Sequence, residues 1–324
     1  MVISDNEIEK QLESIYTNKN TYLNYIHRLQ RLRDKIVKCE SYIALVSTPT
    51  ENYDKIRLEY PNISTRKNML TVILSLFKNI EDIKNTLSKQ QLEWKNFHEH
   101  MDSFQEANYK KHMPSMNQLY KYTPLEDIEI KYKEMTNGNP HKTIKESLQF
   151  ILLSIIISTP PKRSDYGDIK IYYDEDPNDT TANYIVMKYS KPSYIVFNKY
   201  KTAKYMKRVD QELPLKVTND IKDSLRRHSR DYLFVNQYNK PFASNNGFSK
   251  YFTNTFYSLF GRKTGTTMLR HIFITERVSF DDMDDNKLES IAKQMLHSTT
   301  VQKKYNWNKN KICATLKTLC PKSN

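Results

Sequence analysis

Near the C-terminal end stands Met-Leu-Arg270-His271, and twenty-seven residues after that arginine comes Met-Leu-His297-Ser298-Thr299-Thr300, with Tyr305 eight residues past the histidine. An arginine, a histidine and a tyrosine, joined by one amphipathic stretch, are what phosphoryl transfer from DNA to a protein hydroxyl needs. A phosphodiester attacked by oxygen passes through a pentacoordinate state with added negative charge. Fixed guanidinium groups stabilise that state far more in a water-poor site than in water. The histidine hydrogen-bonds the phosphate and the tyrosine attacks it. Two guanidinium groups are wanted, one on each side of the phosphate. Arg163, in Pro160-Pro161-Lys162-Arg163-Ser164-Asp165-Tyr166, is the second candidate, with Asp165 or Tyr166 placed to orient it. The leaving 5′ oxygen needs a proton. A lysine held on a hairpin tip suits that role, because lysine pKa falls readily in a desolvated, cationic site. Lys201, in Asn198-Lys199-Tyr200-Lys201-Thr202-Ala203-Lys204, lies on such a tip, and Lys199 and Lys204 are close competitors. Tyr305 is one of 23 tyrosines, so only its place after His297 singles it out.

The 324 residues suffice for two domains. A formal net charge of +14 points to a polyanionic partner, most simply nucleic acid. With 38% apolar and 12% aromatic residues the chain can fill two modest cores, and 5 glycines and 12 prolines argue against low-complexity disorder. Cys39, Cys313 and Cys320 stand in no metal-ligand spacing, which suggests a reducing compartment without a disulfide framework. No stretch reaches the ~18 apolar residues of a membrane span, and the N-terminus has no basic segment followed by an apolar run. The expectation is a soluble, intracellular protein with no cofactor, no metal and no membrane contact.

Helical spacing marks residues 1–110. Tyr22, Tyr25, Ile26, Leu29 and Leu32 recur along one helix with Thr21 as its N-cap, and a second helix starts near Ser64 with Met69, Val72, Ile73, Leu76 and Ile80 on one face. Arg66 and Lys67 at its start could meet a phosphate, or could simply be a solvated helix end. A third helix is expected from Ile83 to Tyr109, anchored by Leu92, Trp94, Phe97 and Phe104. Breakers then suggest an interdomain linker over 111–124. Beyond Pro124, Ile144, Leu148, Ile151, Leu152 and Ile155 form a nearly all-round apolar helix, stopped by Pro160-Pro161. Strand-like runs follow at Ile169–Tyr173, Tyr184–Lys188, Tyr194–Lys199 and Lys207–Leu213, the last two closing a hairpin across Tyr200–Lys204. A helix carrying Leu288, Ile291, Ala292 and Met295, capped by Asn286, delivers His297, and Ile312, Leu316 and Leu319 give the tail an apolar face.

The order Arg163, Lys201, Arg270, His297, Tyr305 resembles the tyrosine recombinases, or phage-integrase family. The family's second arginine sits in a His-x-Leu-Arg-His stretch, which here reads Thr267-Met268-Leu269-Arg270-His271. Its Leu-Gly-His-Ser box is similar to Met295-Leu296-His297-Ser298, and its lysine box to Lys201-Thr202. The stretch around Arg163 is similar to versions in large DNA viruses and their virophages. The resemblance covers residues 125–310, and the N-terminal helices only in general shape. Thr267 stands where the family often has His or Lys, Leu296 where it has Gly, and the His-to-Tyr spacing is one residue shorter than usual.

The resemblance implies an α-helical core-binding domain at 1–110 and a mixed α/β catalytic domain at 125–324, mainly helical with a small antiparallel sheet. It implies cleavage through a 3′-phosphotyrosyl intermediate without ATP or metal, on double-stranded DNA, by a homotetramer spanning two sites. Arg163, Arg270 and His297 would hold the phosphate and Lys201 would be the general acid. Thr267 and His271 would be accessory, His271 more as a packing residue. Arg66, Lys67, Lys199 and Lys204 would contact DNA, in the host cytoplasm or nucleus if the source is viral. The tail beyond Trp307 would dock on a neighbouring protomer or on its own domain. Two other readings are a type IB topoisomerase, which relaxes one duplex by similar chemistry, and a catalytically weakened DNA-binding relative.

Overall fold

A computed structural model describes residues 3–189, 191–242 and 244–319. The chain separates into two compact units, Met1–Lys111 and His112–Asn324. The first is helical throughout its described residues: Asp5–Ile15, Lys19–Arg31 running into a π-helical turn at Leu32–Val37, Tyr42–Ser47, Pro49–Glu59, Ile63–Asn79, Glu81–Thr86 and Ser88–Lys110. Leu29, Leu45, Ile56, Leu70, Ile73, Phe77 and Trp94 fill its core, and the Trp94 indole donates to the Val46 carbonyl at 3.0 Å. Asn18, not Thr21, caps the helix Lys19–Arg31, because its side chain reaches the amides of both Asn20 and Thr21. The expected helix from Ile83 to Tyr109 is two helices broken at Leu87. Trp94 is buried and Phe97 packs beside it, whereas Leu92 is 61% and Phe104 46% exposed. Leu92 lies on the opposite side from Trp94. Phe104 sits where the facing helix has only its first turn, since the neighbouring Gln105 reaches Ser64.

In the second unit, residues 112–124 pack rather than link. Leu119 and Tyr122 are buried in its core, the Tyr122 hydroxyl donates to Glu276 at 2.7 Å and Thr123 bonds Thr264. The helix Ile144–Ser158, opened by a Thr143–Glu146 capping box, buries every residue from Ser147 to Ile156 and is the centre of this core. Around it lie the helices Leu125–Asn137, Leu215–Arg227, Asn245–Phe260, Thr266–Arg277, Asp285–Gln294, Thr299–Tyr305 and Lys309–Leu319.

Four short strands form one sheet in the order β1 (Lys170–Tyr173), β2 (Tyr184–Met187), β3 (Tyr194–Phe197) and β4 (Val209–Glu212). β2–β3 and β3–β4 are antiparallel, but β1 pairs with β2 in parallel, so the sheet is mixed rather than antiparallel. A parallel pair needs a connection that returns along the strand, and residues 174–183 are long enough for it. Asp176 pins that crossing by accepting from the hydroxyls of Tyr184 and Tyr194 and from Arg208.

Asp284, not Asn286, caps the helix Asp285–Gln294 by accepting from the Lys287 amide at 2.8 Å. In the tail Ile312 is buried and Leu316 partly so, both against the second unit's own core. Cys320 and the side chain of Leu319 lie outside the described residues.

Candidate active site

Arg270 sits one turn into the helix Thr266–Arg277, on its buried face between Leu269 and His271, and is 0% exposed. Its Nη2 donates to the Met295 carbonyl at 2.9 Å and to Nδ1 of His297. Its Nε and Nη1 are buried without an acceptor. A guanidinium can only donate, so Nδ1 of His297 accepts and the imidazole proton is assigned to Nε2. That Nε2 is also buried and unpartnered. Burial, followed by the charges of Arg270, Arg163 and Lys162, pushes the His297 pKa down to about 3. The ring is therefore neutral at pH 7 and serves as a hydrogen-bond donor rather than a base. Two touching side chains thus carry three dry nitrogens, with four N–H bonds, that have no acceptor among the described residues. Unmet buried donors of this kind are rare and destabilising, and an anion satisfies them.

The Tyr305 ring lies against this pair. Its centroid is 4.9 Å from Cζ of Arg270 and 5.6 Å from the His297 ring, which it meets at 27°. Ser298 caps the short helix Thr299–Tyr305 through the Val301 amide, and so sets where that helix ends. His271 holds the tyrosine from the other side. It meets the Tyr305 ring edge-on at 4.7 Å and stacks on Trp307 at 4.0 Å. Burial lowers its pKa to about 4, and its Nδ1 donates to the Tyr305 carbonyl at 2.9 Å. The Trp307 amide in turn donates to Thr275 at 3.1 Å.

His297 is presented by a left-handed helix ending. The Leu296 amide bonds the Lys293 carbonyl and the His297 amide bonds the Ala292 carbonyl, the two bonds of a Schellman motif. Leu296 occupies its left-handed position with φ +57°, where glycine is favoured and another L-residue is strained by roughly 1–2 kcal/mol. The leucine side chain offsets this by being 1% exposed in the core. Leu296→Gly should relieve the backbone yet still lower stability, by about 1–3 kcal/mol, because the lost burial outweighs the strain. Urea unfolding checks this, and a more stable variant would show that the side chain contributes no packing.

Arg163 follows the Pro160-Pro161 turn after the helix Ile144–Ser158 and is half-buried. Its charge helps depress the pKa values of both Arg270 and His297. Asp165 is buried, which raises its pKa, while Arg163 and Arg270 pull it down. Arg163, Asp165, Lys199 and Lys201 line one open cleft of about 550 Å³. Lys199, Lys201 and Lys204 are all exposed. The Lys201 turn is tied to the histidine segment by a hydrogen bond of 3.0 Å from the Thr202 hydroxyl to the Leu296 carbonyl.

Asn183 is a positioning residue the sequence did not reveal. Its buried carboxamide donates to the Asp165 carbonyl at 3.3 Å and the Lys199 carbonyl at 2.9 Å, and accepts from the amides of Asn198 and Lys199. One side chain thereby joins the Arg163 turn to the lysine hairpin. Its only sequence signal is an amide just ahead of an apolar strand. Asn183→Ala should cost about 2–3 kcal/mol of stability and slow any DNA cleavage roughly 10–100-fold through misplacement. Thermal unfolding and single-turnover cleavage report the two effects separately.

Thr267 is exposed in the first turn of the Arg270 helix. In the first unit, Arg66 is 9% exposed with its Nε buried and unpartnered, and Lys67 pairs with Asp102 and reaches Gln105 at 3.4 Å. The two cations expected to face solvent at that helix start are thus turned inward or engaged. Among the described residues no group of His, Cys, Asp or Glu could hold a metal ion, and no helix is long and apolar enough to cross a membrane.

No family model and no curated protein matches the sequence. Among solved structures, the crystal structure of XerA recombinase is similar over 96% of both chains, at 11% identity and a TM-score of 0.40.

Proposed function

We propose that the protein cuts and rejoins double-stranded DNA as a site-specific recombinase of the tyrosine type, with Tyr305 as nucleophile. One observation carries the reading: a phenol ring lies over a buried guanidinium and imidazole whose three N–H-bearing nitrogens have no partner among the described residues. Those donors match the non-bridging oxygens of a phosphodiester, and the Arg270 guanidinium offsets the negative charge that builds there in the transition state. As the Tyr305 oxygen releases its proton to water and bonds to phosphorus, the 5′ oxygen leaves and takes a proton from Lys201. Arg163 faces the phosphate from the proline turn. The 3′-phosphotyrosyl bond keeps the energy of the broken linkage, so a 5′ hydroxyl from a second duplex reverses the step. Exchange of both strands between two sites then calls for a homotetramer on DNA. The net charge of +14 supports the choice of partner, and affinity should fall steeply with salt as counterions are released.

Recombination and relaxation of plasmids distinguish the outcomes. A library of plasmids carrying candidate paired sites should yield exchanged products. Relaxation of single plasmids without any exchange would instead assign a topoisomerase, and binding without either product would leave only a DNA-binding protein.

A further inference from the structure

Lys162 precedes Arg163 in the proline turn and is 1% exposed. A lysine amid Pro160-Pro161-Lys162-Arg163 would be expected at the surface. Here the turn lays its stem inward, with Nζ 5.2 Å from the Phe197 ring on β3 and 3.3 Å from the Pro160 carbonyl. That carbonyl is its only hydrogen-bond partner among the described residues, although an ammonium has three protons to place. The groups that face it are Asp165 from its own turn, Arg270 from the helix Thr266–Arg277, and the neutral His297 from the turn after Asp285–Gln294. One carboxylate is thus set against the Arg270 guanidinium and this amine.

We propose that Lys162 is a buried third cation of the anion site, protonated when a phosphodiester is seated, so that DNA binding draws a proton into the protein. This rests on the reading of Arg270 and His297 as a phosphodiester site. A dry ammonium beside the Arg270 guanidinium is unfavourable, and burial, partly offset by Asp165 and reinforced by Arg270, lowers its pKa to about 7. An added negative charge at the donors of Arg270 and His297 removes that penalty. The proton comes from solvent and lands on Nζ, and no other bond changes. The free amine binds no proton above neutral pH while the DNA-bound one does, so affinity rises as pH falls towards 7 and levels off below it. Lys162→Met keeps the stem over Phe197 and removes the effect.

The test uses the full chain with Tyr305→Phe, to prevent cleavage, and lysine labelled at its ε carbon, titrated by NMR alone, with a DNA duplex and with inorganic phosphate. One lysine should titrate near pH 7 in the free protein, apart from the solvated ones near ~10, and move up by about one unit or more with either ligand. At constant salt, duplex affinity should rise about fourfold or more from pH ~8.5 to ~7, and stay flat when Lys162→Met is added. If no lysine titrates near neutrality, or if the one that does ignores both ligands, the proposal is wrong. A shift with inorganic phosphate but not with the duplex keeps the proton-coupled anion site and removes the DNA reading. Should the methionine variant not fold, Lys162→Arg, which keeps a cation and deletes one labelled lysine, assigns the signal: its persistence in that variant would place the titration on another lysine and overturn the proposal.

Discussion

Tyr305→Phe abolishes covalent attachment to DNA while leaving binding nearly intact. The phenol oxygen is the atom that would bond to phosphorus, and phenylalanine keeps the ring that lies 4.9 Å from the Arg270 guanidinium carbon. The cation–π contact, the stack on His297 and the edge contact with His271 all survive the change. Loss of one hydroxyl should alter DNA affinity by about 1 kcal/mol or less. Loss of the nucleophile should lower cleavage by on the order of 10⁴-fold or more. Gel-shift titration and a denaturing-gel assay for adducts measure the two quantities. A phenylalanine variant that still forms adducts would move the nucleophile elsewhere.

Arg270→Met carries the second large effect, and it separates chemistry from stability. The side chain is fully buried and, among the described residues, bonds only a carbonyl and a histidine and no carboxylate. Burial is the main reason its pKa falls to about 10, with Arg163 pushing the same way while Tyr305 and Asp165 oppose. The guanidinium stays charged at pH 7, so the folded protein carries the cost of burying it at every pH below about 10. That cost is lost only as pH rises through the folded and then the unfolded pKa. Methionine fills similar space without charge, so the variant should melt no lower than the parent and could gain stability. Cleavage should fall by on the order of 10⁴-fold, since one lost donor is worth about 10²–10³ and here two free donors and a full charge disappear. A fall of ten degrees in Tm would instead mark Arg270 as a residue that holds the fold together.

Periodicity made much of the second unit legible. The all-round apolar helix lies at Ile144–Ser158, the first three strands fall inside runs of β-branched and aromatic residues, and the fourth falls inside Lys207–Leu213, where Val209 and Gln211 alternate with exposed polar residues. The order of Arg270, His297 and Tyr305 suggested one chemical cluster, and the fold gathers these three in contact. Lys201 is not in that contact set. It is exposed beside Arg163 in the neighbouring cleft, between Tyr200, which packs on the core, and Thr202, which bonds the Leu296 carbonyl. Other features had no signal in residue type. The parallel pairing of β1 with β2 depends on the path of the loop 174–183, which strand alternation does not encode. Asn286 lost the cap to Asp284 because both are good caps two residues apart, and only the path of the chain chooses between them. Leu296 hid a backbone position that glycine would have announced. The burial of Lys162 and Arg66 has no signal in sequence, because burial of a charge is decided by tertiary packing, not by neighbours along the chain.

The most direct measurement uses the unaltered protein and a duplex nicked beside the scissile phosphate, so that the short leaving strand diffuses away and the covalent product cannot reverse. After proteolysis, the peptide still joined to the 3′ phosphate is sequenced by mass spectrometry. A single adduct on Tyr305 is the predicted result. An adduct on any other residue, or DNA bound tightly with no adduct on any substrate that the protein recognises, would contradict the account.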